Sequence, residues 1–262
     1  QHIIDDGEVR VNGKPVPKSF RVSIGDEISF SMPELKTIEA KPENIPLDIV
    51  YEDDDIIVIN KSPFMAMHPT HNHQGDTLAN AVAAHLAAKG RSAAFRAVGR
   101  LDKGTSGLTV CALNPLSASK LSGKVKKQYC ALVQGELHGE GTVDVPIYRP
   151  DPMKTLRACS DELGVESAVT HWTVERNFSG ATLVRLDLET GRTHQIRVHM
   201  AHIGHPLAGD TMYGGFMPEI GHQLLHCRAC RFIHPVTGEE MRFTAPFYPD
   251  FEAALELFGQ VE

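Results

Sequence analysis

Two short, almost unbroken apolar runs constrain the fold of this chain most: Ile56-Ile57-Val58-Ile59-Asn60 and Leu108-Thr109-Val110-Cys111-Ala112-Leu113. Strands covered on both faces read this way, because neither face is given to water. Further strand patterns fall at Gln128–Val133, within 165–177, at Ala181–Leu188, and at 223–233 and 241–245. Helical patterns interrupt them irregularly. Asp76-Thr77-Leu78 opens an alanine-rich helix through Ala88 that Gly90 stops, Pro115 starts another through roughly Val125, and 250–258 form a closing helix. Thr193 is expected to cap a helix with an Ile196, Met200, Ile203 stripe, which Gly204 and Pro206 end. Neither a strict βαβ repeat nor any internal repeat is present. The pattern predicts an α+β fold with a mixed, largely antiparallel sheet.

Ahead of these runs the pattern changes. Glu8–Lys14 alternates polar and apolar residues and turns at Asn12-Gly13, and Phe20–Phe30 alternates again around Gly25-Asp26. With the end of a helix at Gln1–Asp5, residues 1–32 resemble the later part of an S4-type RNA-binding module. The module's earlier helix is absent, so the segment reads as a remnant; by itself it would read as a plain β-hairpin. The chain opens on Gln1 rather than Met, which points to residues missing ahead of it. Residues 33–47, with Pro33, Pro42 and Pro46, read as a linker, and 48–262 as one larger domain.

The five cysteines, Cys111, Cys130, Cys159, Cys227 and Cys230, are odd in number and several sit in apolar runs. Reduced core thiols in a cytoplasmic protein look like this. Cys227 and Cys230 form a CxxC without a second pair, and on a strand the two side chains would splay to opposite faces. No apolar stretch is long enough to span a bilayer, and no signal-peptide pattern is present. The net charge of −7 argues mildly against a nucleic-acid partner. Lys120, Lys124, Lys126 and Lys127 nevertheless cluster within one short stretch.

One run carries chemistry: Gly99-Arg100-Leu101-Asp102-Lys103-Gly104-Thr105-Ser106-Gly107-Leu108. It sets a carboxylate between two cations in a glycine-rich turn, and both cations favour the ionised form. Such a carboxylate is a nucleophile or an electrostatic stabiliser. A second run, Glu189-Thr190-Gly191-Arg192-Thr193-His194-Gln195-Ile196-Arg197-Val198-His199, brings arginines to a helix start, where outward N–H groups suit phosphate. Other motifs fail. Thr105 stands where a P-loop needs lysine, and Ser106 lacks GxSxG spacing. His68, His71 and His73 form a loop cluster without an acidic ligand at metal-site spacing.

Arg100–Leu108 resembles the catalytic motif of RluA-type pseudouridine synthases, and Thr190–His199 their downstream motif. Gly204–Asp210 and Tyr213-Gly214 follow as in that family, and lesser matches fall in order at Asn60-Lys61, His68-Pro69, Lys127–Val133, Leu224–His226 and His234-Pro235. The likeness covers roughly residues 48–250. Gly99 replaces a customary His, and Ser62 and Phe64 a customary Pro and Gly. The resemblance implies the pseudouridine-synthase fold, a mixed sheet flanked by helices and loops. It implies isomerisation of uridine in structured RNA, with large-subunit rRNA as first expectation and tRNA as second. Asp102 becomes the catalytic carboxylate, Tyr129 an aromatic against the target base and Arg197 the ion-pair partner of Asp102. Arg100, Lys103, Thr105, Arg192, His194, Gln195, Lys126 and Lys127 are the expected RNA contacts. The reaction breaks C1′–N1 and joins C5 to C1′, so no metal, redox cofactor or group donor is expected, and the base must be flipped from its stack. Attack by Asp102 on the ribose or on the base both fit the family. Monomer is the default state, and no membrane partner is expected. Two rivals remain: a non-catalytic RNA-binding or ribosome-assembly protein, and a nucleoside or glycoside hydrolase using Asp102.

Overall fold

The computed structural model describes residues 9–17, 19–30, 40–70, 73–91, 95–160 and 166–259. The chain forms two compact units, Gln1–Glu39 and Ala40–Glu262. The first is a three-stranded antiparallel sheet of β1 (Val9–Val11), β2 (Lys14–Pro15) and β3 (Ile28–Phe30), in the order β2-β1-β3. Asn12 and Gly13 turn β1 into β2 with φ of 50° and 77°, as the Asn-Gly pair predicts. The second expected stretch is a strand only at its end. Asn12 Nδ2 donates to Asp26 Oδ1 (2.8 Å) and Glu27 N–H to Asn12 Oδ1 (3.0 Å), so side chains stitch the two turns where ladder bonds were expected. Phe20, Val22 and Ile24 stay exposed. The expected helix end at Gln1–Asp5 lies outside the described residues.

In the larger unit the strands are β4 (Asp48–Glu52), β5 (Ile56–Lys61), β6 (Arg96–Val98), β7 (Ser106–Ala112), β8 (Lys126–Gln134) and β9 (Glu140–Asp144). A short pair, β10 (Ile147–Tyr148) and β11 (Ala158–Cys159), stands apart as its own sheet. Then come β12 (Val169–Phe178), β13 (Ala181–Leu188), β14 (Leu225–Ile233) and β15 (Glu240–Thr244). The helices are α1 (Leu78–Ala88), α2 (Pro115–Leu121), α3 (Gln195–His202) and α4 (Pro249–Gly259). Ten strands join one sheet in the path β4-β5-β7-β14-β8-β13-β12-β9, with β15 on β14 and β6 on β7. Every pairing is antiparallel except β7 with β14.

Both apolar runs fall where the sheet is covered. Every residue of β5 and β7 is buried. At β8 and β13 alternate residues enter two cores. Tyr129, Ala131, Val133, Val184 and Leu186 share one with Leu78, Val82 and Leu86 of α1 and Ile196 and Met200 of α3. Cys130, Leu132, Ala181 and Leu183 share the other with Phe251 and Ala254 of α4. Each fully buried aliphatic side chain contributes about 1.5–3 kcal/mol.

Several boundaries differ from expectation. Residues 40–47 are docked rather than free: Asn80 Nδ2 donates to the Lys41 carbonyl (2.8 Å) and Glu43 N–H to the Asn80 carbonyl (3.2 Å). Residues 33–39 of the expected linker lie outside the described residues. Helix α2 stops at Leu121, because Gly123 (φ 69°) turns the chain into β8. Thr193 does not cap α3. His194 holds the N-cap position in left-handed conformation (φ 58°), and the Gln195 Oε1 accepts the Arg192 N–H instead (2.9 Å). Cys227 and Cys230 lie in the same core, since a β-bulge between Cys227 and Ala229 shifts the alternation by one residue. All five cysteines are free thiols.

Candidate active site

The parallel pair β7–β14 places the site. Ser106 and Gly107 pair with His226 and Cys227, so the loop 99–105 that precedes β7 opens at the middle of the sheet. Gly107 has φ of 101°, and a Cβ there would run into the Cys227 backbone; glycine is what lets the two strands meet. Ser106 Oγ meets His226 Nδ1 at 2.9 Å beneath the loop. Tyr129 enters from the neighbouring strand β8, paired with Leu186 and Cys227.

The structure brings eight of the eleven expected residues to one cavity of about 60 Å³: Arg100, Asp102, Thr105, Tyr129, Arg192, His194, Gln195 and Arg197. Lys103, Lys126 and Lys127 are not among its walls. The Lys103 ammonium lies 3.1 Å from His73 Nε2. Asp102 is partly exposed and its carbonyl accepts the Thr105 N–H (3.0 Å), closing the turn. Among the described residues, the Arg197 guanidinium lies within 4 Å of its carboxylate (Nη1, 3.5 Å), and the His194 imidazole Nε2 stands at 3.9 Å. Arg100, its neighbour in sequence, instead reaches Thr193 Oγ1 at 3.4 Å. Positive charge at Asp102 thus comes from α3, across the fold.

Arg197 is buried, and its strongest partner is not Asp102. Its Nε and Nη2 clasp both oxygens of Asp210 at 2.6 and 2.8 Å. Asp210 is itself buried, and its pairing holds the Arg197 guanidinium above its ordinary pKa against the cost of burial. A bidentate pair fixes the plane of the guanidinium, leaving Nη1 aimed at Asp102. The Arg197 guanidinium also lies over the Tyr213 ring at 5.1 Å, and the Tyr213 hydroxyl meets His194 Nδ1 at 2.9 Å. Burial pushes the Tyr213 and Tyr129 hydroxyls up, Tyr129 the further. His194 is pushed down by burial, with Asp102 opposing.

Lys61, at the end of β5, is fully buried beneath the loop. Its Nζ donates to the carbonyls of Ser62 (2.8 Å), Met65 (2.9 Å) and Lys103 (3.2 Å), tying the segment after β5 to the loop that bears Asp102. Burial pushes this lysine down to about 7, with Asp102 pulling the other way. Phe64, where the family has glycine, adopts φ of 66° and lies edge-on to His222 at 4.7 Å.

Two of the expected RNA contacts, Gln195 and Thr105, are engaged within the protein. Gln195 spends its whole amide inside the protein, accepting from Thr190 Oγ1 and Arg192 N–H and donating to the Val169 carbonyl and Thr170 Oγ1. Thr105 is buried and accepts from Gln223 Nε2 (3.1 Å). Both tie together segments around the cavity. Arg192 is half-exposed, donates to the Ser167 carbonyl (3.0 Å) and pairs with Glu166 (3.4 Å). Sequence reasoning assigned no role to Asp210, Tyr213 or Lys61. Each nonetheless lies in a stretch that matches the family, at Gly204–Asp210, Tyr213-Gly214 and Asn60-Lys61.

Comparison with known proteins follows the same lines. Residues 55–202 match the family described as RNA pseudouridylate synthase. A Bacillus subtilis protein called uncharacterized RNA pseudouridine synthase YjbO is 41% identical over 95% of this chain and 90% of its own length. The ribosomal large subunit pseudouridine synthase D of Vibrio parahaemolyticus is also 41% identical, over 96% of this chain and 83% of its own. Among solved structures, human RNA pseudouridylate synthase domain containing 1 superposes with a TM-score of 0.63 at 26% identity, covering 79% of this chain and 87% of that one. With a family model over more than half of its length and relatives 41% identical over nearly all of it, the chain belongs to the RNA pseudouridylate synthase family, enzymes that isomerise uridine in RNA.

Proposed function

We propose that this enzyme converts a uridine of large-subunit ribosomal RNA to pseudouridine, with Asp102 as the catalytic carboxylate. The observation that carries the assignment is the meeting of Asp102, Tyr129 and Arg197 at one cavity, with Arg197 held rigid by Asp210. Attack at ribose C1′ and attack at the uracil ring both use the Asp102 carboxylate, and the Arg197 Nη1 stands 3.5 Å from it. Tyr129 offers a ring to stack on the uracil and a hydroxyl that stays protonated. In the net reaction the C1′–N1 bond breaks, the base turns, C5 bonds to C1′, the C5 proton is lost and N1 gains one. All of these changes occur on the substrate and solvent, so no group donor enters.

The cavity at Asp102 measures about 60 Å³, and Arg100, one of its walls, reaches Thr193 Oγ1 only at 3.4 Å, a weak contact that leaves the arginine able to move. The Vibrio relative's name favours large-subunit rRNA over tRNA as the target. The N-terminal unit, as an S4-like remnant, would add RNA contacts there. We read the enzyme as a cytoplasmic monomer; among the described residues no helix is long and apolar enough to cross a membrane.

The test is tritium release from RNA labelled at C5 of uridine, with wild-type and Asp102→Asn protein on rRNA fragments and tRNA. Wild type alone should release tritium, and from large-subunit fragments. Comparable release by Asp102→Asn removes the nucleophile assignment. Binding without release by either protein moves the non-catalytic reading forward, and free uracil among the products would mean a hydrolase.

A further inference from the structure

On the other side of Tyr129 lies a larger cavity, of about 290 Å³, walled by Gly99, Arg100, Lys126, Lys127, Tyr129 and Leu188 among others. Lys127 is one of its walls, and its Nζ is buried with no hydrogen-bond partner among the described residues. A buried ammonium without an acceptor has lost its hydration and gained nothing in return, and native proteins rarely leave one so. Its surroundings do not neutralise it. Burial pushes the nearby Cys111 and Cys227 thiols up to about 12 and Cys230 to about 11, so all three stay uncharged. Glu189 supplies the cavity's one carboxylate among the lining residues, and it is turned outward to His171 Nε2 at 2.8 Å.

Gly99 lines this space with φ of 77°, and a Cβ built there would stand in ordinary contact, 3.6 Å from the Lys127 Nζ. Three cations therefore surround an opening with no free anion, directly beside the proposed seat of the flipped base; the two cavities share Arg100, Tyr129 and Leu188.

We propose that the Gly99–Lys127 cavity is a phosphate seat, which takes one phosphodiester group of the RNA next to the flipped uridine. Lys127 donates to a non-bridging oxygen, swinging its flexible stem the short way into the space, with Arg100 and Lys126 flanking. A base carbonyl would satisfy the hydrogen bond but leave the charge uncompensated; a phosphate oxygen does both. The inference rests on the reading of the chain as an enzyme of RNA and deepens it, naming the group that positions the strand.

Ethylation interference on a transcript of large-subunit rRNA tests it, with the modified uridine mapped on the same transcript. Wild type should show one phosphate beside that uridine whose ethylation blocks binding. Lys127→Met should lose that position alone, with a salt slope smaller by about 0.7. Its kcat/KM should fall roughly tenfold or more, carried mainly by KM. Because the variant removes an unpaired buried charge, its Tm should equal or exceed that of wild type. Gly99→Asn, tolerated in left-handed backbone, should lose the same position by filling the space. A lower Tm for Lys127→Met with an unchanged map overturns the proposal in favour of a packing role. Weaker binding with every interference position retained overturns it in favour of a base edge. The map is read from binding alone, so absence of tritium release from wild type would fail the reaction and not this site.

Discussion

The Asp102 side of Tyr129 and the Lys127 side are both lined by cations, yet they are finished differently. On the first, Arg197 is clasped by Asp210 and Lys61 spends its three protons on three carbonyls. On the second, Lys127 has no acceptor among the described residues, and Gly99 lines the space beside it. A site whose hydrogen bonds are completed within the protein holds its atoms still, as a reacting carboxylate requires. A site left incomplete stores a favourable interaction for whatever fills it.

After the loss of isomerisation in Asp102→Asn, the largest effect is expected from Arg197→Met. It leaves Asp210 buried without a partner, at a cost of about 3–5 kcal/mol. At roughly 2–4 °C per kcal/mol for a domain of this size, thermal melts resolve it easily. Adding Asp210→Asn should recover stability without recovering tritium release; recovery of both would mean that Arg197 serves only the fold.

Lys61 gives an intermediate effect with a defined sign. Its pKa of about 7 in the folded state lies below the ordinary 10.5, so between those values the folded protein binds fewer protons than the unfolded one. Stability from this group therefore rises with pH from about 7 to 10.5, and the penalty is present in full below that window. Urea melts across the window should show the rise in wild type, and Lys61→Met should flatten it. Parallel curves would place the titrating group elsewhere.

The smallest effect is expected at Arg192. Its partner Glu166 is exposed, so Arg192→Met should change stability by about 0–1 kcal/mol. Its loss in tritium release should be well below that of Arg197→Met. Equal losses would erase the distinction between an arginine fixed by Asp210 and one resting on the surface.

Much of the architecture was legible along the chain. The two apolar runs became β5 and β7, Thr77 caps α1 as its position suggested, and α4 closes the larger unit. Local rules failed where distant groups intervene. Thr193 looked like a cap, but His194 holds the N-cap position and Thr193 turns to Arg100. The CxxC looked splayed, but a bulge set by pairing with β8 returns both thiols to one core.

By itself the sequence determined the fold class and the family, because periodicity and motif spacing are properties of neighbours along a chain. Only the tertiary structure decided which charges meet. Asp102 turns from Arg100 and Lys103, beside it in sequence, to Arg197 on α3; Arg197 is fixed by Asp210; and Lys127 is left alone beneath Gly99. Electrostatic pairing depends on distance and burial in space, and neither is written in the spacing of residues.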